Sequence, residues 1–388
     1  MLVAAIPFGF PNRAVALGSR VPNQDAKAIG RGNAFAATAD NPSAIYYNPA
    51  GISQLEGHNL QVGSLFYLGI DADYESPSGE RVSNDQEVLP VPQLHYVFAP
   101  EGRQFALGLG VYSPFGLAME WPDDAPFRSS GLKAELLFAT INPVIAWKPR
   151  QNLSFAIGPT FNYTEAELIT GQPAPGFRFT FKGHEWAYGF NAGVLWQPHN
   201  KWSLGLKYFS STEATYSGTA SFAPSAAFLP PPTITKAHLD YPQIIAGGIS
   251  FRPTPDWNIE VNVDWSDWEV VDSAKIEHFG ALPLNWNSSF FYHAGVTRKI
   301  GKGYYVSCGY FFSEASTPEN DYTPLVPDTD LHVGSIGLGR QGQRWSWAVA
   351  GQLIGGGFRK IDEARDPTVN GSYRLFTPAL SFSIGYRL

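Results

Sequence analysis

Of the 388 residues, only 16% are charged and 14% are aromatic, and the net charge is -7. An average soluble domain is roughly 25% charged. With 39 Gly and 31 Pro the chain is too rich in helix breakers for a helical protein, its 44% hydrophobic content excludes disorder, and its acidity gives no reason to expect nucleic acid as a partner. Mean hydropathy is -0.15, and no run of 18 residues is continuously apolar, so no transmembrane helix is predicted.

The first residues, 1–16, form an apolar stretch ending in Ala14-Val15-Ala16, an A-x-A pattern. They read as a signal peptide; an apolar N-terminal arm is the alternative, because no basic residue precedes the stretch. Residues 17–56 are different. Small residues dominate (Ala26, Ala28, Ala34, Ala36, Ala37 and Ala39), and Asn41-Pro42 and Asn48-Pro49 punctuate them. The spacing predicts short helices joined by turns. The segment either folds back into a barrel lumen or stands as a small separate domain.

Residues 57–388 repeat one pattern: stretches of alternating apolar and small or polar residues, separated by turn residues. Leu153, Phe155, Ile157, Phe161 and Tyr163 share one face, with Ser154, Ala156, Gly158, Thr160 and Asn162 on the other. Period-two alternation marks strands with one greasy and one polar face. Fourteen such stretches are predicted, near 59–70, 88–99, 104–114, 135–147, 152–167, 184–196, 202–213, 236–251, 257–267, 286–299, 303–313, 329–340, 344–355 and 373–388.

Six connections are short: Pro100–Arg103, Lys148–Gln151, Gln197–Lys201, Arg252–Asp256, Ile300–Lys302 and Gln341–Gln343. They alternate with long ones such as 71–87, 115–134, 168–183, 214–235 and 268–285. All tight turns then lie at one end and all long loops at the other, which is the pattern of an outer-membrane barrel. Trp147, Trp196, Trp202, Trp257, Trp345 and Trp347 lie near the short turns; Trp186, Trp265, Trp268 and Trp286 lie near the long loops. The two groups are expected to form the aromatic girdles of the two membrane interfaces. The last strand ends on Leu380, Phe382, Ile384, Tyr386 and Leu388, an edge too apolar to be left open. The predicted fold is therefore an all-β membrane protein. It is a 14-stranded antiparallel up-and-down transmembrane barrel with a small helical hatch in its lumen.

Chemistry-bearing residues are few. Cys308 is the single cysteine, and the histidines form no recognisable motif. His293 and Ser289 share a strand face and read as a lumenal polar pair. Glu260, Asn262 and Asp264 are expected to line the lumen as wall packing or contacts to the hatch. Asp321, Asp328 and Asp330 read as a solvated acidic loop. No catalytic residue, metal site or cofactor is assigned.

The segment DAKAIGRGNAFAATADNPSAIYYNPAGISQL, with Gly30, Gly32, Ala34, Ala37, Asp40 and the triplet Asn48, Pro49, Ala50, resembles the hatch of FadL-type outer-membrane transporters. GLGVYSPFGLAMEWPDD (108–124) is similar to that family's third strand and the loop after it. The resemblance implies uptake of hydrophobic molecules across the outer membrane. Long-chain fatty acids are the first expectation, and monoaromatic hydrocarbons, as in the TodX-like branch, the alternative. A general porin and a barrel enzyme are the rivals from other classes. It implies capture at extracellular loops, movement of the hatch, and sideways exit at a distorted third strand into lipid. Gly108, Gly110, Pro114, Phe115 and Gly116 are the residues of that expected kink, since Pro breaks ladder bonds and Gly permits bulges. Apolar loop residues Phe177, Phe179, Phe228 and Leu229 either form the capture cleft or pack on each other. Arg178 and Lys182 are the cations available to a carboxylate headgroup. A monomer with hydrophobic small molecules and membrane lipid as its partners is expected.

Overall fold

The computed structural model describes residues 19–85, 88–172, 176–225 and 229–388. The predicted signal peptide and Phe228 lie outside the described residues. Fourteen strands close into one antiparallel barrel. They are β1 (Gly57–Leu68), β2 (Val88–Ala99), β3 (Phe105–Tyr112), β4 (Lys133–Arg150), β5 (Leu153–Gly171), β6 (Arg178–His199), β7 (Trp202–Phe209), β8 (Ile244–Phe251), β9 (Trp257–Ser266), β10 (Ser289–Gly301), β11 (Tyr304–Ser313), β12 (Leu331–Gln341), β13 (Trp345–Gly356) and β14 (Gly371–Arg387). Each pairs with its neighbours in sequence, and β14 closes on β1 through Tyr67↔Ala379 to Asn59↔Arg387. Closure satisfies strand backbones that lipid could not hydrate.

The alternation read from the sequence is the alternation of the wall. In β5, Phe155, Ile157 and Phe161 face out and are substantially exposed, while Ala156, Thr160 and Asn162 are buried toward the lumen. Trp147, Trp196, Trp202, Trp257 and Trp345 form an exposed aromatic band at the tight-turn end, and Trp186 is exposed toward the other end. The terminal strand exposes Leu380, Phe382 and Ile384 on the same outer face.

Four expectations fail above the membrane band. The run 214–235 is not a loop throughout: Thr212–Ala223 pairs with Thr233–Tyr241 in a hairpin, for its Thr and Tyr residues suit a pleated surface. The predicted strand 236–251 is two strands, Thr233–Tyr241 and β8, parted at Pro242-Gln243. Trp268 and Trp286 belong to no girdle. They are buried at 2% and 6% exposure, edge to face with centroids 5.1 Å apart, because the long loop carrying them folds inward over the mouth. In the acidic loop Asp330 is exposed as expected, but Asp321 and Asp328 are buried. Asp328 is buried and accepts from the Ser316 and Thr317 amides at 2.6 and 3.0 Å, since residues 314–330 also turn into the mouth.

Residues 19–56 lie inside the barrel. They contain two single-turn helices, α1 (Ala26–Ile29) and α2 (Ala44–Tyr47), and a 3-10 segment Pro49–Gln54. Their backbone passes so close to the wall that several wall positions admit only glycine. A methyl at Gly205 would stand 2.0 Å from the Ala36 carbonyl oxygen, and one at Gly309 the same distance from the Arg31 carbonyl carbon.

Candidate functional site

The N-terminal segment is fixed to β9 by the polar residues that alternate along that strand. Arg20 donates to the Asp264 carboxylate, and both are buried. Arg31 lies 3.5 Å from Glu260, which also accepts from the Ala37 amide at 2.8 Å and from the Thr38 hydroxyl. With its amide turned so that the oxygen faces the segment, Asn262 accepts from the Phe35 and Ala36 amides at 3.0 and 3.1 Å. His293 of β10 joins through Gly32 O at 2.9 Å, not through Ser289.

The Asn48-Pro49-Ala50 triplet is a junction between segment and wall. Asn48 is fully buried; its amide donates to Ala36 O at 2.8 Å and Val194 O at 3.0 Å, and its oxygen caps the following turn at the Ala50 N–H. Ser154 of β5 donates to Ala50 O at 3.2 Å. A Cβ at Gly193 would lie 2.9 Å from Pro49. The sequence did not single out Lys207, which is buried with its ammonium 3.7 Å from the centre of the Tyr46 ring.

Strand β3 stops at Tyr112 and resumes only as Gly116–Glu120, which pairs with β4 but not with β2. Between them the chain turns inward and meets the N-terminal segment. The Val21 amide donates to Pro114 O at 2.8 Å, Gly116 N–H donates to Ser19 O at 2.9 Å, and Arg20 bridges Phe115. Phe115 is fully buried, 5.2 Å from Phe138 and 5.1 Å from Tyr241 between ring centres. Gly108 and Gly110 lie below the break and leave room for Ile45. The β2–β3 ladder ends at Leu94↔Val111, so among the described residues Val88–Gln93 have no strand partner on that side. At about 3.4 Å per residue, these leave a gap roughly 20 Å tall. It is closed at the top by the Asp85 amide on Glu120 O at 2.9 Å. A cavity of about 210 Å³ opens there, between Ile70, Leu89, Ala118, Met119 and the carboxylates Asp85, Glu120 and Glu135. Pro90 and Pro92 were the available signal, since proline in a sheet belongs to an edge.

On the loop side of the N-terminal segment lies an apolar cavity of about 130 Å³. Leu117 and Ser19 place it against the break in β3; Tyr216 and Tyr241 form one wall, and Trp268, Trp286 and Leu325 are contributed by the loops. Of the expected capture residues, Phe179 faces inward and packs on Phe222 and Phe279, with centroids 5.4 and 5.2 Å away. Phe181, its neighbour on the same face, lines the cavity. Phe177 and Leu229 are half-buried at the loop tips. Arg178 and Lys182 point to the outer face. Arg178 is 3.1 Å from Asp123, and Lys182 is 3.9 Å from Glu167. The Arg178 guanidinium holds the Asp123 carboxyl below the usual carboxylate range.

Residues 19–56 occupy the lumen of a closed barrel, and an apolar cavity lies on the loop side of them: the fold is that of an outer-membrane barrel with part of its own chain inside. The chain belongs to the outer membrane protein transport protein family (OMPP1/FadL/TodX), whose model matches residues 11–346. It is 25% identical to the long-chain fatty acid transport protein of Escherichia coli K12, over 79% of this chain and 81% of that one. It is 23% identical to a 47 kDa outer membrane protein of Pasteurella multocida, over 79% and 80%. In fold it matches a Pseudomonas aeruginosa FadL homologue with a TM-score of 0.80, at 18% identity over 95% of this chain and 99% of that one. The toluene transporter TbuX of Ralstonia pickettii gives 0.72, at 14% identity over 96% and 99%. Membership places the chain in the outer membrane, among transporters of hydrophobic compounds.

Proposed function

We propose that the chain is a passive channel for hydrophobic molecules, which enter under the loops and leave sideways into the membrane through the gap beside β3. The observation that carries this reading is the adjacency of the apolar cavity and the gap: Leu117 lines the first, and Ala118, the next residue, lines the second. A molecule moving between them passes Phe115 and the Ser19–Val21 backbone, so the N-terminal segment acts as the hatch that must shift. The energetics favour a lateral route. An apolar chain gains about 0.8 kcal/mol per CH₂ by avoiding water, which an aqueous exit forfeits.

Of the relatives named above, one is a long-chain fatty acid transport protein and one a toluene transporter, and both kinds of molecule are hydrophobic enough for this route. In this reading Asn48, Pro49 and Ala50 anchor the hatch, and Phe179 and Phe181 form the inner wall of the entrance. One chain closes the barrel and forms the whole route, so a monomer suffices. The chain does no chemistry on what it carries.

Uptake in a Gram-negative host lacking its own transporter tests the proposal. Expression is expected to raise uptake of a hydrophobic compound above the empty-vector level, and deletion of residues 25–50 is expected to remove its selectivity. Uptake unchanged by that deletion overturns the hatch; high ion conductance of the intact protein in planar bilayers favours the porin reading.

A further inference from the structure

We infer that the outer wall carries a binding site for an anionic phospholipid of the periplasmic leaflet, its phosphate held between Arg298 and Arg340 at the tight-turn end of β10 to β12. The site lies on the opposite side of the barrel from the gap beside β3. It goes beyond the uptake reading and does not depend on it.

Charge is the first argument. The chain is acidic overall, with a net charge of -7, yet this stretch of the tight-turn end is basic. Between Asp256 and Arg344 it carries Arg298, Lys299, Lys302, Arg340 and Arg344, all exposed, against one acid, Asp256 itself. Among the described residues, Arg298 and Arg340 contact aromatic rings and a carbonyl and form no ion pair. In a barrel of this class the tight turns face the periplasm, so the cations stand level with the phospholipid headgroups of that leaflet.

Geometry is the second argument. Period-two alternation decides which of the cations face lipid. Arg298 continues the outward row of Ala294 and Val296, and Arg340 that of Ile336 and Leu338. Each leans on a ring of the aromatic band. The Arg298 guanidinium is 5.2 Å from the centre of Trp257, and that of Arg340 is 5.3 Å from the centre of Tyr304. Trp347 supports Tyr304 edge to face at 6.3 Å. A guanidinium held face-on by a ring keeps its in-plane N–H edge free. Arg340 commits only Nε, which donates to Lys302 O at 3.4 Å. The remaining fork matches two phosphate oxygens. The two arginines flank β11, for Arg298 pairs with Val306 and Arg340 with Tyr304. They are two strands apart, roughly 10 Å across the sheet, and their long side chains can converge on one headgroup over Val306.

The wall beside them favours a lipid over a free phosphate or an acidic protein. Toward the membrane centre the same face is apolar and notched. Cys308 pairs with Ile336 and Tyr310 with Gly334, so two small residues lie on one diagonal and two large ones on the other. Ile336 stands 70% exposed, and no atom lies within 4 Å of a methyl built on Gly334. An acyl chain laid beside Ile336 covers this surface while its headgroup stays at the level of the tryptophan band. A zwitterionic headgroup brings its own cation, which five basic residues repel; an anionic one does not.

The test is native mass spectrometry of the full chain in detergent, titrated with dimyristoyl phosphatidylglycerol or dimyristoyl phosphatidylcholine. Phosphatidylglycerol is expected to be held more tightly. Arg298→Gln and Arg340→Gln are each expected to weaken it about fivefold, the share of one basic residue at an anionic membrane surface, and the double change to bring the two lipids to the same affinity. Lys201→Gln, which removes an exposed cation at another tight turn, is expected to leave phosphatidylglycerol binding unchanged. Heat-modifiable migration on gels verifies that each variant forms its barrel. Equal retention of the two lipids by the unaltered protein overturns the site. Phosphatidylglycerol binding that survives the double change does the same, as does an equal loss in Lys201→Gln, which reduces the effect to bulk charge. Displacement of the lipid by inorganic phosphate alone overturns the lipid as the ligand, because the notch then contributes nothing.

Discussion

Arg20 and Asp264 form a buried ion pair inside the barrel, 244 residues apart in sequence. Arg20 also bridges Phe115 at the break in β3. The same residue therefore ties the N-terminal segment to β9 on one side and to the interrupted strand on the other. Removing one member of a buried pair typically costs about 3–5 kcal/mol, because the survivor is left charged and unpartnered. Asp264→Ala is expected to loosen the hatch while the barrel stays closed. Faster hydrogen exchange across residues 20–56, with strand amides unchanged, is the readout. The double change Arg20→Met with Asp264→Leu is expected to restore slow exchange, since a well-packed apolar pair replaces the buried charges.

The glycine contacts make a sharper steric prediction. Gly205→Ala and Gly309→Ala each set a methyl about where Ala36 or Arg31 backbone now lies. Overpacking of this kind costs about 1–3 kcal/mol, and it falls on the hatch more than on the wall, which has its own ladder. Gly334→Ala, on β12 with nothing within 4 Å of its new methyl, is the control and is expected to be silent. Native-state exchange of the hatch amides separates the two cases.

The wall was readable because its signal is local: Leu153 to Tyr163 alternate whether or not the rest of the barrel is known, and a tight turn needs only its own few residues. The contacts of the N-terminal segment to the wall were partly readable for the same reason, since Glu260, Asn262 and Asp264 are polar at the inward positions of a single strand. The cavity was not. Leu117, Tyr216, Trp268 and Leu325 meet there from four distant parts of the chain, and no local period distinguishes Trp268, which turns in, from Trp186, which faces out. The outward placement of Arg178 was hidden for a related reason. A cation near apolar loop residues suggests a headgroup site until alternation along β6 is followed: Phe179 and Phe181 face in, so Arg178 and Lys182 face out.

The gap beside β3 should be rate-limiting if molecules leave through it. Ala118 borders it at a position where the outer face is open, so Ala118→Trp fills the exit without touching the cavity. Uptake is expected to fall by about tenfold or more, equivalent to a barrier raised by about 1.4 kcal/mol. Binding in the cavity, followed by quenching of tryptophan fluorescence in the purified protein, is expected to stay at its original affinity. A loss of binding together with uptake would place Ala118 in the capture step instead.

Acidification should release the outer tie between Asp123 and Arg178. The Asp123 carboxyl is held below its usual range chiefly by its hydrogen bond to Arg178, with Arg128 adding to it. A carboxylate depressed in the folded state adds stability above its unfolded pKa, near 3.9, and that contribution is lost as pH falls through the folded value. Both partners are well exposed, with 43% and 41% of their side chains accessible, so the effect is confined to the loop and screened by salt. Protection of the amides in residues 121–132, taken relative to their intrinsic exchange rate at each pH, is expected to fall between neutral pH and pH near 3 at low ionic strength, and less so at high salt. Arg178→Gln should remove much of that pH dependence, leaving what Arg128 supplies. It should also leave uptake of a hydrophobic compound unchanged, because the guanidinium stands on the outer face against Asp123. A selective fall in oleate uptake in this variant would instead make Arg178 a headgroup contact, and the outward face of β6 part of the entrance.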